Sequence, residues 1–452
     1  MKKVHFIAIG GAAMHNLALA LHSKGYEVTG SDDEVFEPSK TRLAAVGILP
    51  EKMGWFPEKI TKDIDAVILG MHAREDNPEL VEAQKIGVKI YSFPEFLYQE
   101  TKDKLRVVIG GSHGKTTTTA MILHVFQHLG IGFDYMVGAQ IEGFDTMVGL
   151  SEKTKIAVFE GDEYLTSPID LRSKFHLYHP NVALVTGIAW DHINVFPTFE
   201  IYVEQFKKFA DLVEPQGTFI YFEQDKELQK IARGVRPDIT ALAYNTPEYV
   251  ISEGKTYIKY NGKEIPLQVF GEHNLQNINA ARLVCLQVGV SESDFYEAIS
   301  SFGGAARRLQ KITEANGCTA FLDFAHAPSK LRATIKAVKD QYENRRLVAC
   351  MELHTFSSLN KDFLPEYKDT MKPADVAYVY FNPEVIAHKG LEKITKEQVA
   401  EGFGKNITVF TDPKALQEEL RKIKFENTNL LFMTSGNFSG LNLVEFAKEL
   451  VH

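Results

Sequence analysis

The segment Ile109-Gly110-Gly111-Ser112-His113-Gly114-Lys115-Thr116-Thr117 places glycines, a lysine and hydroxyls in the order that cradles a polyphosphate. Gly111 and Gly114 allow backbone N–H groups to approach an anion closely. Lys115 can reach β- and γ-phosphate oxygens, and Thr116 offers a neutral hydroxyl to Mg²⁺. Ser112, His113 and Thr117 complete the turn. The full G-x-x-x-x-G-K-[ST] pattern is not met, because Ile109 stands where its first glycine belongs. Context carries the reading instead. The apolar run 105–109 predicts a buried strand, and Met121, Ile122, Val125, Phe126 and Leu129 predict the apolar face of a helix. A strand, a glycine turn and a helix N-terminus together favour a triphosphate.

Carboxylates and histidines recur at the ends of later apolar runs. Glu160-Gly161-Asp162-Glu163-Tyr164 closes the run 156–160, ~45 residues after Lys115, where Glu160 can hold Mg²⁺. Asp191-His192 follows the run 182–186, in a turn suited to a metal or a phosphate-orienting group. Asp323-Phe324-Ala325-His326 repeats that placement, and Arg307-Arg308 ahead of it offers bidentate contacts to phosphate. Near the start, Gly10-Gly11-Ala12-Ala13-Met14 follows the run 4–9 and opens a helix, with Asp32 about 20 residues on. G-x-G-x-x-G fails in both registers, so this turn reads as a seat for the pyrophosphate of a sugar nucleotide rather than for a redox dinucleotide.

These residues need a scaffold of alternating strands and helices. Runs at 4–9, 27–30 and 66–69, separated by helices over 14–23 and 39–46, predict a helix-covered parallel sheet. A second cycle starts at 105 after a charged linker, 99–104. It includes an antiparallel excursion over 249–260 closed by the Asn261-Gly262 turn. A third starts near Arg308 and runs through 319–323, a helix from Ser329, and 347–351, 376–381, 407–410 and 430–434. The fold class is α/β, with domains at 1–103, 104–303 and 304–452.

Composition excludes several classes. A net charge of -9 from 50 basic and 59 acidic residues disfavours nucleic acid as a partner. Cys285, Cys318 and Cys350 are odd in number and widely spaced, which predicts buried thiols rather than disulfides or a zinc site. No apolar run reaches the ~20 residues that span a bilayer, and no signal peptide precedes the first strand, so neither membrane insertion nor export is expected. A cytoplasmic protein is the expectation.

The strings HFIAIGGAAM, VTGSD, GGSHGKTTTT, FEGDEY, DHINVF, GEHNLQNINAA, GAARRL and DFAHAP, in that order along essentially the whole chain, resemble the Mur ligase family. The resemblance implies a Rossmann-like N-terminal domain holding a UDP-sugar through Gly10, Gly11, Ala12, Ser31, Asp32 and His72. It implies a central P-loop ATPase-type domain with Lys115 and Thr116 on phosphate and Mg²⁺, and Glu160 and His192 on metal. His273, Asn274 and Asn277 would lie beside adenine. In a Rossmann-like third domain, Arg308 and Asp323 would reach the nucleotide, with His326 near ATP or the amine. Lys115, His192, Asp323 and His326 are thus the expected catalytic set.

The implied activity is ATP- and Mg²⁺-dependent amide formation between UDP-N-acetylmuramate and an amino acid or peptide through an acyl phosphate. FEPSK after GSD, the run from Asp170 through Arg172 and Lys174 to Pro180, and Gly436-Asn437-Phe438-Ser439-Gly440 look most like members that add L-alanyl-γ-D-glutamyl-meso-diaminopimelate. His354 echoes members that add L-alanine. Departures from the family pattern stand at Gly187, Ala189 and Ala327, and Phe206 takes the place of a carbamylated lysine beside Lys207. A weaker second metal site is the implied consequence. A catalytically weakened nucleotide-binding regulatory protein is the alternative from another class.

Overall fold

The computed structural model describes residues 2–71, 73–141, 143–190, 195–305, 307–404 and 406–452. His72, Asp191 and His192 lie outside the described residues. By contact the chain forms two compact units, Met1–Asn245 with Gln276–Ile299, and Thr246–Leu275 with Ser300–His452.

The first unit contains two sheets. Parallel strands in the order Glu27–Ser31, Lys3–Ile7, Ala66–Leu69 and Ile90–Ser92 form the N-terminal one. The helix Ala12–Ser23 buries Leu17, Ala18 and Leu21 beside it. Residues 99–101, expected in a linker, instead end the helix Phe93–Thr101. A Ser92/Glu95 capping box and Pro94 start that helix firmly, and burial of Phe96, Leu97 and Thr101 carries it to its last turn.

His5 and Glu79 meet inside this sheet, both side chains fully buried, with His5 Nε2 3.1 Å from a Glu79 oxygen. The other oxygen of Glu79 accepts the Phe56 N–H at 2.8 Å. Burial acts to raise the Glu79 pKa, but bonds from His5, Ser31 and Phe56 outweigh it and hold the carboxyl below its usual value. A depressed pKa contributes stability that is present above the unfolded value, about 4.3, and lost as pH falls through the folded value. Glu79→Ala should therefore cost about 3 kcal/mol at neutral pH and flatten the acid limb of stability. Urea unfolding across pH tests this, and an unchanged acid limb would refute it.

The central sheet runs Thr240–Tyr244, Thr218–Phe222, Val182–Val185, Leu105–Gly110, Ile156–Glu160, Asp134–Met136 and Val148–Gly149. Only the last pair is antiparallel. Val107, Val108, Ile109, Ala157, Val158 and Phe159 are fully buried, as continuous apolar strands of a covered parallel sheet must be.

In the second unit, the strand order is Gln310–Ala315, Cys318–Asp323, Thr428–Met433, Arg346–Leu353, Val376–Phe381 and Thr408–Phe410, antiparallel only at the first pair. The excursion after residue 245 has three strands, Tyr249–Ser252, Lys255–Tyr260 and Lys263–Leu267, one more than expected. Asn261 and Gly262, both at positive φ, turn the second strand into the third, while Glu253-Gly254 makes the first turn. By contact this small sheet groups with the C-terminal strands. Thr256 donates to Gln341 at 2.8 Å, and Phe270 packs on Phe321 and Tyr342. The three cysteines are buried free thiols.

Candidate active site

Three neighbouring strands of the central sheet, Val182–Val185, Leu105–Gly110 and Ile156–Glu160, end side by side. In a doubly wound sheet this carboxyl edge is where ligands bind. From the middle strand the chain turns through Gly111 at φ +123° and Gly114 at φ +79° into the helix Lys115–His128. A Cβ at Gly114 would lie 2.5 Å from Asn277 Oδ1, so glycine is required there by contact as well as by conformation. Ser112 N–H donates to the Gly187 carbonyl at 2.9 Å, tying the loop to the next strand end. Thr117 is buried in the first helical turn, and Thr186 donates its hydroxyl to the His113 carbonyl.

Thr116 donates its hydroxyl to Glu160 at 2.9 Å, and the other Glu160 oxygen accepts the Gly138 N–H at 2.8 Å. One neutral and one anionic oxygen thus face each other across the mouth of the loop. That donor set fits Mg²⁺, which takes hard oxygens from one or two side chains and completes its shell with phosphate and water. Such an ion would neutralise phosphate charge there. Lys115 Nζ lies 2.5 Å from Glu163, a pair with side-chain exposures of 16% and 1%. Burial alone would lower the lysine's pKa, but the carboxylates of Glu163, Asp162 and Glu160 outweigh it, so the ammonium stays charged. Lys174 lies 2.6 Å from Asp162, and it and Lys115 hold that carboxyl down at about 2 against the desolvation of the site.

Sequence reasoning gave Glu160 a role and left Glu163 and Tyr202 without one. Nothing local marks them: Glu163 is one acid among three in its string, and Tyr202 sits on a helix whose apolar face reads as core. Phe206 is fully buried against Phe175 and Tyr202, and Lys207 beside it is exposed.

At the N-terminal sheet, Gly10 N–H donates to Asp32 Oδ2 at 2.7 Å, and Gly11 caps the helix that begins at Ala12. Ser31 is fully buried, with Lys59 Nζ 3.4 Å from its hydroxyl. Desolvation raises the Asp32 pKa to about 6, against the Gly10 bond, which acts to lower it. The turn, Ser31 and Asp32 therefore lie together at the carboxyl end of this sheet.

In the second unit, Asp323 accepts the Leu309 N–H at 2.5 Å and the Ala325 N–H at 2.7 Å. These bonds, with one from the Thr334 hydroxyl at 3.4 Å, hold the Asp323 carboxylate, expected among the catalytic groups, in the turn that contains Arg308. Arg307 and Leu309, either side of Arg308, have positive φ, and both arginines stack over Phe324. His326 Nδ1 lies 2.9 Å from the Phe324 carbonyl, so the proton sits on that nitrogen. Gly436 leaves room for its neighbours: a Cβ there would lie 2.7 Å from Glu352 and 2.9 Å from the His354 ring. Asn274 donates to the Phe270 carbonyl at 2.8 Å; His273 precedes it in the first turn of the helix Glu272–Gln287.

A phosphate loop at the edge of a mainly parallel sheet, with one α/β sheet before it and another after it in the chain, defines a three-domain α/β nucleotide-dependent enzyme. Residues 3–104 match the description "Mur ligase family, catalytic domain", 109–285 "Mur ligase middle domain" and 307–436 "Mur ligase, glutamate ligase domain". The chain belongs to the Mur ligase family of ATP-dependent, ADP-forming amide ligases. It is 30% identical over 453 residues to the UDP-N-acetylmuramate–L-alanine ligase of Geobacter sulfurreducens, covering 97% of this chain and 95% of that one. The Thermotoga maritima UDP-N-acetylmuramate–alanine ligase shares its fold, with a TM-score of 0.68 at 23% identity over 100% of this chain and 98% of that chain. The Neisseria meningitides UDP-N-acetylmuramate:L-alanyl-γ-D-glutamyl-meso-diaminopimelate ligase aligns with a TM-score of 0.60 at 25% identity, covering 67% of this chain and 98% of that one. Among the described residues, no helix is long and apolar enough to cross a membrane.

Proposed function

We propose that this protein joins the free carboxylate of UDP-N-acetylmuramate to the amine of L-alanyl-γ-D-glutamyl-meso-diaminopimelate, in the cytoplasm, with ATP and Mg²⁺. A carboxylate is a poor electrophile, so its oxygen first takes the γ-phosphoryl group of ATP, giving an acyl phosphate and ADP. The amine nitrogen then bonds to the carbonyl carbon, the bond to the phosphate oxygen breaks, and phosphate and a proton leave. Phosphoryl transfer asks the protein mainly for positioned charge. The observation that carries the reading is the convergence of Lys115, Thr116 and Glu160 on one loop mouth.

The tripeptide acceptor is supported by the string from Asp170 to Pro180 and by Gly436-Asn437-Phe438-Ser439-Gly440. L-alanine is the second reading, favoured by His354 and by the relative from Geobacter sulfurreducens. Incubation with Mg-ATP, UDP-N-acetylmuramate and each amine in turn, followed by mass spectrometry, decides between them. The tripeptide adduct is expected, an alanine adduct alone would transfer the assignment, and ADP-coupled product from neither would end both.

Asp32 is assigned to the UDP-sugar. Asp32→Ala should raise the dissociation constant for UDP-N-acetylmuramate about tenfold, the loss expected of one charge-assisted bond, and leave Mg-ATP affinity unchanged. Paired calorimetric titrations test it, and equal losses for the two ligands would contradict the division of labour.

A further inference from the structure

Tyr202 lies on the helix Phe199–Asp211, its ring fully buried between Phe196 and Phe206 at centroid distances of 5.4 and 5.2 Å. A buried tyrosine hydroxyl needs partners, and here they belong to the phosphate site. The hydroxyl donates to Glu163 Oε1 at 2.9 Å and lies 2.8 Å from Ser112 Oγ. Since its one proton goes to a carboxylate that can only accept, the Ser112 hydroxyl donates to the tyrosine oxygen. Ser112 Oγ in turn accepts the Ala189 N–H at 2.9 Å, and Glu163 Oε2 holds Lys115 Nζ at 2.5 Å. One chain of bonds therefore links Ala189, Ser112, Tyr202, Glu163 and Lys115. It joins the loops at the ends of three adjacent strands through a single rigid ring.

The physical effect is preorganisation. A free lysine side chain loses about 2 kcal/mol of rotamer entropy when fixed in place. Glu163 is itself flexible, and the packed ring of Tyr202 is what immobilises it. We propose that Tyr202 is a positioning residue for phosphoryl transfer, whose hydroxyl fixes Lys115 through Glu163 and the phosphate loop through Ser112. This rests on the ligase reading above. The loop N–H groups that would bind triphosphate in the ground state keep their own backbone tie when the hydroxyl is lost, because Ser112 N–H still donates to the Gly187 carbonyl. Misplacement of Lys115 is felt as charge redistributes during transfer.

Tyr202→Phe keeps the ring and removes only the oxygen. Its kcat should fall about 10- to 100-fold, while KM for ATP and the dissociation constant for Mg-ATP change by less than about threefold. Thermal unfolding should move by no more than about 2 °C. Glu163→Gln interrupts the same chain, so the double variant Y202F/E163Q should fall no further than E163Q alone. A kcat for Y202F within about twofold of the unaltered protein, additive losses, or a loss confined to Mg-ATP affinity would overturn the proposal. If the unaltered protein makes no ADP with UDP-N-acetylmuramate and either amine, the ligase reading fails separately. Crystal structures of the unaltered and Y202F proteins then decide the positioning claim: Glu163 and Lys115 Nζ should shift together from their places, and an unmoved ammonium would refute it.

Discussion

Lys115→Ala should lower ATP-dependent amide formation about 10³-fold or more, the loss expected when a side-chain cation proposed to face a transferring phosphoryl group is removed. The ammonium is charged in the folded protein, because three nearby carboxylates outweigh its burial. Removing it leaves Glu163 buried without that cation, so some loss of stability is expected as well. A companion variant separates the two effects. Lys115→Arg keeps the charge and the pairing with Glu163, but a planar fork cannot reproduce a compact ammonium at the loop mouth. It should therefore remain folded at 25 °C and still lose about 10²-fold in kcat. Coupled ADP release alongside circular dichroism checks both variants, and near-native turnover by Lys115→Ala would remove the phosphate-loop assignment.

Glu160→Ala should have the next largest effect, a fall of about 10²- to 10³-fold at ordinary Mg²⁺ concentration. Thr116 supplies a hydroxyl on one side and Glu160 an anionic oxygen 2.9 Å away. Without the carboxylate Thr116 keeps only its neutral hydroxyl at this mouth among the described residues, and a bound Mg²⁺ would lean more on phosphate and water. The distinguishing sign is metal dependence: the Mg²⁺ concentration for half-maximal rate should rise about tenfold or more. Part of the activity should return as Mg²⁺ is raised. Glu160 also accepts the Gly138 N–H, so Glu160→Gln, which retains an acceptor there, serves as the control for loop collapse. A loss of rate with unchanged Mg²⁺ dependence would remove Glu160 from the metal.

Much of this site was legible because the chemistry is local in sequence. Gly111, Gly114, Lys115 and Thr116 lie within six positions, after a strand and before a helix, and the backbone converts that adjacency directly into an anion cradle. Glu160 was legible because an apolar run ending in an acid places that acid at a sheet edge. Glu163 and Tyr202 were not: Glu163 meets Lys115 across 48 residues, and Tyr202 meets Glu163 across 39, intervals that no periodicity marks. Asp323 is a mixed case: its string was legible as a strand end, while its two bonds from backbone N–H groups depend on the folded turn around Arg308. His72, Asp191 and His192 fall outside the described residues, and the metal role expected of His192 stays a proposal to be tested by substitution.

The sequence by itself determined the α/β class, the alternation of strands and helices, the phosphate loop and the family, since hydrophobic period and short motifs are encoded within a few residues of one another. Tertiary structure alone decided that residues 246–275 group with the C-terminal sheet, that helix rather than linker fills 99–101, and that a tyrosine in an apolar helix face reaches the phosphate loop. These outcomes turn on packing and on bonds between distant segments, which become favourable only when the whole chain closes upon itself.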